Sequence, residues 1–296
     1  MNKTEIFYFS GTGNSLFVAK ELQKRISNSK LLPIVNQLEN KIIQTDAKIV
    51  GIVFLCHALT IPLAVKQFLR KIDLSSTEYI FAIATRFGTV FRGFEIINKL
   101  LRKQNKQLNS QFIINMCHNE APRSQKNYSI PSKTDILEIE SVVLQKMDQI
   151  SHVIINRQIS LEKDDNILIK SSENPIIGIF IEKLVVSLIS FSEHIGGVNY
   201  FYHDDKCNGC GLCAKVCLSG KIRIEDNEPI WEKNKLCYMC YACVNYCPHM
   251  SVQVSDIPGV KSYTKENGRY PHPYATVNDI AMQKHSNNIN TNENKI

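Results

Sequence analysis

Five short apolar runs punctuate the first 115 or so residues, at Glu5–Ser10, Leu31–Val35, Lys48–Leu55, Tyr79–Thr85 and Gln111–Met116. Between them, Asn14–Ser27, Pro62–Arg70 and Phe91–Asn105 repeat their apolar positions at helical spacing. Strands alternating with helices at this interval predict crossover units, hence a parallel sheet with helices on both faces. A longer helical stretch from Lys133 to about Arg157 sets Ile136, Ile139, Val143, Met147 and Ile150 on one face and closes the domain. The expected fold over residues 1–157 is α/β, a doubly wound parallel five-stranded sheet.

Residues 158–174 are polar and irregular and read as a linker. Asn174-Pro175 has the form of a helix start, cap followed by proline. Apolar pairs at Ile176-Ile177, Phe180-Ile181, Leu184-Val185 and Leu188-Ile189 then recur every four residues up to Gly196-Gly197. The expectation for 158–200 is a linker with an amphipathic helix packed between two domains. Its apolar stretch, Ile176 to Phe191, is broken by Glu182-Lys183 and falls short of the roughly 20 residues that cross a bilayer. A compact unit at 201–256 follows, and then a polar, Asn-rich tail at 257–296, expected to be disordered from His285 onward.

Composition narrows the picture. At 296 residues the chain is too long for a small cysteine module alone, and its 44% apolar content supports a core without disulfides. The net charge of +7 is spread along the chain with no basic run or stripe, which argues against nucleic acid as a partner. Within 203–255, six basic and six acidic side chains balance. The opening Met1-Asn2-Lys3-Thr4-Glu5 lacks the pattern of a signal peptide, so a cytoplasmic location is expected. Ten cysteines in such a reducing compartment point to metal or redox work.

Eight of the ten form an internal repeat. Cys207, Cys210, Cys213 and Cys217 recur 30 positions later as Cys237, Cys240, Cys243 and Cys247, the last followed by Pro248. Each half reads C-x2-C-x2-C-x3-C, which wraps three thiolates around a compact cubane and sends the fourth to the other half. Cys207, Cys210, Cys213 and Cys247 are therefore assigned to one [4Fe–4S] cluster, and Cys237, Cys240, Cys243 and Cys217 to a second. Structural zinc sites pair two C-x2-C knuckles across a longer spacer and lack the third and fourth cysteines in register. Gly209 and Gly211 permit the sharp backbone path. Residues 203–255 resemble a bacterial-type two-cluster ferredoxin, with Leu218 standing where that family has proline.

A second candidate site lies at the other end. The strand Phe7-Tyr8-Phe9 runs into Ser10-Gly11-Thr12-Gly13-Asn14-Ser15, a turn that opens the first helix. Amides and hydroxyls at a helix N-terminus suit a phosphate. The loop lacks the Gly-Lys-Ser/Thr of a Walker A loop and the third glycine of a Rossmann loop. With no lysine, it suits the phosphomonoester of flavin mononucleotide, FMN. It is similar to the flavodoxin phosphate loop and follows the first strand of the alternating pattern, where doubly wound sheets bind ligands.

Taken whole, residues 3–280 resemble the EFR-type ferrodoxins, which join a flavodoxin-like domain to a two-cluster ferredoxin. Ile61-Pro62, Met116, Asn119 and the tail motif Arg269-Tyr270-Pro271-His272-Pro273 add to the resemblance. It implies that the flavin ring lies between the loops after the third and fourth strands. The first of these, Cys56-His57-Ala58-Leu59, lacks the Pro and Tyr of the family. In the second, Thr85-Arg86-Phe87-Gly88-Thr89, Phe87 is the candidate for stacking, Gly88 for a close backbone approach and Arg86 for balancing a reduced flavin. His57 either replaces the missing aromatic or is a loop residue. Cys56 and Cys117 read as ordinary buried thiols.

The expected function is an electron carrier that passes electrons between FMN and two [4Fe–4S] clusters, and to or from an unidentified redox partner protein, in an anaerobic setting. No catalytic triad, carboxylate pair or dinucleotide loop is present. Two alternatives use the same residues: a flavin-dependent iron–sulfur oxidoreductase acting on a small molecule, and a ferredoxin whose flavodoxin-like domain no longer holds flavin.

Overall fold

The computed structural model describes residues 3–57, 59–119, 126–166, 201–256 and 261–285, together with 181, 184 and 187. The main sheet contains β1 (Thr4–Phe9), β2 (Ser29–Pro33), β4 (Ile49–Leu55), β6 (Tyr79–Arg86), β7 (Ser110–Asn115) and β8 (Ser160–Leu161). Its order is β2-β1-β4-β6-β7-β8 and every pairing is parallel. Short strands β3 (Ile43–Gln44) and β5 (Ile72–Asp73) pair beside it. The first five strands of the sheet run in the flavodoxin-like order 2-1-3-4-5, with the chain reversing direction across the sheet between β1 and β4.

The central strands are apolar throughout because both their faces are covered. Phe7, Phe9, Ile52 and Phe54 pack on one face with Phe68 and Ile97, from helices Leu63–Lys71 and Gly93–Leu101. Ile6, Tyr8, Val53 and Ile83 face the other way, against Leu16, Leu22, Met147 and Ile150 of helices Asn14–Arg25 and Lys133–Ile155. A Cβ at Gly51 would lie 2.0 Å from the Phe81 ring, so glycine there makes room for a phenyl ring of the neighbouring strand. Ser132 and Asp135 form a capping box that fixes the start of the Lys133–Ile155 helix.

The sixth strand, β8, departs from the five expected. It is only two residues long, with no apolar run to announce it, and is held by edge contacts: Ser110 pairs with Ser160, and Lys146 Nζ donates to both Glu162 Oε1 and the Ile113 carbonyl, each at 2.8 Å. The start of the expected linker is thus part of the sheet. The expected Asn174–Phe191 helix lies outside the described residues except at 181, 184 and 187, which are helical. No helix among the described residues is long and apolar enough to cross a membrane.

The cysteine unit pairs β9 (Phe201–His203) with β12 (Val252–Val254) and carries a hairpin of β10 (Ile222–Glu225) and β11 (Glu228–Trp231). Asp226 and Asn227 both take positive φ, as a two-residue hairpin of this hand requires. The 30-residue repeat reappears in the backbone. Gly209, Gly211 and Gly220 are left-handed, and so are Met239, Tyr241 and Met250, thirty positions on. For non-glycine residues that conformation costs about 1–2 kcal/mol each.

The unit packs directly on the sheet domain. Val216, Leu218, Ala242, Tyr246 and Ile280 join the same apolar cluster as Phe9, Phe54 and Phe68. Leu218, only 2% exposed, therefore has a packing role. The tail beyond 261 is ordered as far as 285. It crosses both units through the capped helix Val277–Ala281, with Asp279 bound to Lys20 and Asn278 to Lys215.

Candidate functional site

The Ser10–Ser15 turn lies at the C-terminal end of β1, where the sheet changes direction. Gly13 takes φ 104°, a conformation open to glycine, and the helix that follows has no side-chain cap. Among the described residues, no side chain therefore caps its first-turn N–H groups. Ser10, Thr12, Asn14 and Ser15 line this cleft from below. Cys56 and His57 line it from the loop after β4, and Thr85, Arg86, Phe87 and Thr89 from the loop after β6. Cys117, His118 and Asn119, beyond β7, complete the sheet side.

Hydrogen bonds fix this frame. Gly13 N–H donates to Ser10 Oγ at 3.2 Å, Ser15 and Thr85 share a hydroxyl bond of 2.8 Å, and Asn14 Nδ2 donates to the Cys117 carbonyl at 2.9 Å. The Asn119 amide donates to the Thr12 hydroxyl. Among the described residues, Asn14 Oδ1 and His118 Nδ1 are buried polar atoms of the cleft lining that lack a partner. Such atoms mark a place for a polar ligand, since a buried orphan group is costly. An uncapped helix start beside serine and threonine hydroxyls, with an orphan acceptor further in, fits a phosphate joined to a hydroxylated chain. These residues therefore fit FMN.

Of the residues expected at the flavin ring, Thr85, Arg86 and Phe87 line the cleft and Gly88 does not. Phe87 lies at the mouth, 46% exposed, stacked on His118 with centroids 4.6 Å apart and planes 6° from parallel. Burial lowers the His118 pKa below the ordinary imidazole value. Arg86 reaches the cleft, but its guanidinium is bound to Asp164 at 2.6 Å. Asp164 is 3% exposed and also accepts from Phe91 N–H. Gly88 does not line the cleft, and a Cβ there would meet nothing within 4 Å, so glycine answers a φ of 57° rather than a close approach. Cys56 and Cys117 both reach the cleft wall.

The fourth wall comes from the cysteine unit: Met239, Cys240 and Tyr241. A Cβ on Gly11 would stand 2.0 Å from the Cys240 carbonyl oxygen, so the two loops touch. The tail seals the far side. His272 N–H donates to the Thr12 carbonyl at 2.8 Å, Gln283 exchanges two hydrogen bonds with the Ser10 backbone at 3.1 and 2.7 Å, and Ala275 packs on Gly13. His272, 1% exposed, stacks on Phe17 beside Glu140; burial drives its pKa down to about 4 and raises that of Glu140.

None of the ten cysteines forms a disulfide. Cys207, Cys210, Cys213 and Cys247 line one cavity of the cysteine unit, and Cys217, Cys237, Cys240 and Cys243 a second. Among the described residues no three His, Cys, Asp or Glu side chains converge enough to hold one metal ion. Four thiols standing around a cavity suit a polynuclear cluster better than a single zinc ion, whose ligands crowd to bonding distance. In the first quartet Cys210 is exposed; in the second, Cys240 also lines the cleft of the sheet domain. Sulfur atoms receive N–H donors from Met239 to Cys237 at 3.4 Å and from Ser251 to Cys247 at 3.3 Å. Lys221, 1% exposed, lines the second cavity with its ammonium held by the Glu232 and Lys235 carbonyls, a buried cation that no local sequence pattern announces.

Fold and site together define a flavodoxin-like sheet domain carrying a 4Fe–4S dicluster ferredoxin domain, a combination that fits electron transfer. Residues 206–252 match the family of 4Fe-4S dicluster domains. An uncharacterized ferredoxin of Methanocaldococcus jannaschii is 36% identical over 73 residues, covering 23% of this chain and 40% of that one. Similar solved structures include an azoreductase from Bacillus anthracis, at 12% identity and TM-score 0.36 over 51% of this chain and 99% of that one. They also include the two-electron reduced flavodoxin of Megasphaera elsdenii, at 12% identity and TM-score 0.29 over 48% and 98%.

Proposed function

We propose that this chain is an electron relay of the EFR-type ferrodoxin kind, holding FMN in the cleft and one [4Fe–4S] cluster in each cysteine quartet. The observation that carries this reading is the position of Cys240, which lines both the flavin cleft and the second cysteine cavity. One thiol therefore borders both proposed cofactor sites. When bound, a flavin exchanges one or two electrons and each cluster one, so the pair converts between two-electron and one-electron chemistry.

The chain's own residues supply placement. Ser10, Thr12 and the uncapped helix start hold the phosphate, and Asn14 accepts from the sugar-alcohol chain. The Gly11–Cys240 contact fixes the separation of the flavin from the inner quartet of Cys217, Cys237, Cys240 and Cys243. The outer quartet of Cys207, Cys210, Cys213 and Cys247 faces away from the flavin, and exposed Cys210 offers the point where a one-electron partner protein docks.

Anaerobic purification with iron, sulfide and flavin quantitation tests this. About eight irons and about one FMN per chain are expected. Eight irons without flavin would leave a ferredoxin with a docking domain. Cys213→Ser is expected to lower iron to about four per chain, by removing a ligand of one cubane only; unchanged iron would refute the ligand assignment. Thr12→Asp places a carboxylate against the phosphate and is expected to abolish FMN retention at equal iron content. Undiminished flavin in that variant would mean that the loop does not hold the phosphate.

A further inference from the structure

The two halves of the cysteine repeat follow one backbone path with different residues. Gly209, Gly211 and Gly220 take φ of 73°, 75° and 63°; thirty residues on, Met239, Tyr241 and Met250 take 51°, 56° and 50°. At Gly209 a side chain is excluded, since a Cβ would lie 2.4 Å from the Asn227 carbonyl. At Gly211 the nearest atom is 3.7 Å away and at Gly220 nothing lies within 4 Å, so glycine there serves the backbone alone. The second half forgoes that relief at all three positions. Strain of this kind persists where the side chain has a task.

Two of the three share a location. Met239 and Tyr241 flank Cys240 in the wall of the flavin cleft, whereas Met250 is 43% exposed outside it. Tyr241 also packs edge-on against Phe201 with centroids 5.7 Å apart, so part of its burial serves the cysteine unit. Met239 borders the flavin cleft alone of the two cofactor cavities.

We infer that Met239 and Tyr241 are ring-contacting residues of the flavin site. They cover the isoalloxazine from the iron–sulfur side and supply the apolar and aromatic surface that the Cys56–Leu59 loop lacks. A thioether and a phenol ring both pack well on an aromatic plane, and together they keep water out of the gap between that plane and Cys240. The inference rests on the reading that the cleft takes FMN.

Three substitutions relieve the same strain and separate contact from backbone: Met239→Gly, Tyr241→Gly and Met250→Gly in the full chain. Anaerobic titration with FMN and with riboflavin, alongside iron content and urea midpoint, reads the outcome. Met239→Gly and Tyr241→Gly are expected to weaken both ligands by the same factor, roughly two- to tenfold. Riboflavin has no phosphate, so an equal loss places the contact at the ring. Met250→Gly is expected to change neither, and iron content is expected to hold in Met239→Gly. Riboflavin binding unchanged in Met239→Gly and Tyr241→Gly would overturn the inference while leaving the relay intact; so would an equal loss in Met250→Gly. If the unaltered chain takes neither FMN nor riboflavin, the functional reading fails and this inference with it.

Discussion

Gly11→Ala is expected to lose flavin and about half of the iron together, although Gly11 belongs to neither cysteine quartet. The added Cβ would stand 2.0 Å from the Cys240 carbonyl oxygen and 2.6 Å from Cys240 Cβ. Both are on a backbone that cannot swing aside as a side-chain tip does, so one loop must retreat. Overpacking of this kind costs about 1–3 kcal/mol, concentrated here on the contact between the two proposed cofactor sites. Gly88→Ala is the matched comparison, since its Cβ meets nothing and only φ 57° opposes it. Iron and flavin measured on both variants decide the matter. Full iron and flavin in Gly11→Ala would show that the loops do not depend on each other.

Asp164→Asn is expected to destabilise the fold and to raise the flavin midpoint potential at once. The carboxylate, 3% exposed, neutralises Arg86 at 2.6 Å and lies 3.5 Å from Arg92. Removing one partner of a buried pair costs about 3–5 kcal/mol, because the other charge stays behind without compensation. That remaining charge lies on Arg86, in the cleft wall, where it favours a reduced, anionic ring. Urea unfolding and a potentiometric titration read the two effects; a stable variant with an unmoved flavin potential would place Arg86 outside the ring's field.

The same pair sets an acid limit. Burial pushes the Asp164 carboxyl up, but hydrogen bonds from Arg86, Phe91 N–H and Asn166 N–H more than offset it, and the net shift is downward. A depressed carboxyl contributes stability that is fully present above its unfolded pKa of about 3.9 and is lost as pH falls through the folded value. Acid unfolding of the unaltered chain is therefore expected to be steeper below about pH 4 than that of Asp164→Asn.

Much of this was written in the chain. Strands such as Ile49–Leu55 read as apolar runs because both faces are covered, and the cysteine spacing names its chemistry without a structure. What stayed hidden depends on long-range geometry. β8 is only two residues, Ser160 and Leu161, whose strand character comes from Ser110 and Gln111, fifty positions earlier. Arg86 looks like a free loop cation until Asp164, 78 residues on, takes up its charge. The polar, Asn-rich composition after Asp256 announces no core residues, yet His272, Ile280 and Gln283 are among the most buried, because their partners are at Thr12, Ser10 and in the shared apolar cluster. Met239 and Tyr241 look ordinary within the repeat; only their backbone angles and the facing cleft set them apart.

The clasp between Gln283 and Ser10 joins residues 273 positions apart. Domains usually fold in order of synthesis, the first-made unit first. The Ser10 loop therefore receives these backbone partners only once translation has passed residue 283, with the cysteine unit made in between. A chain cut short of residue 283 is expected to keep its sheet but to leave this loop unlatched.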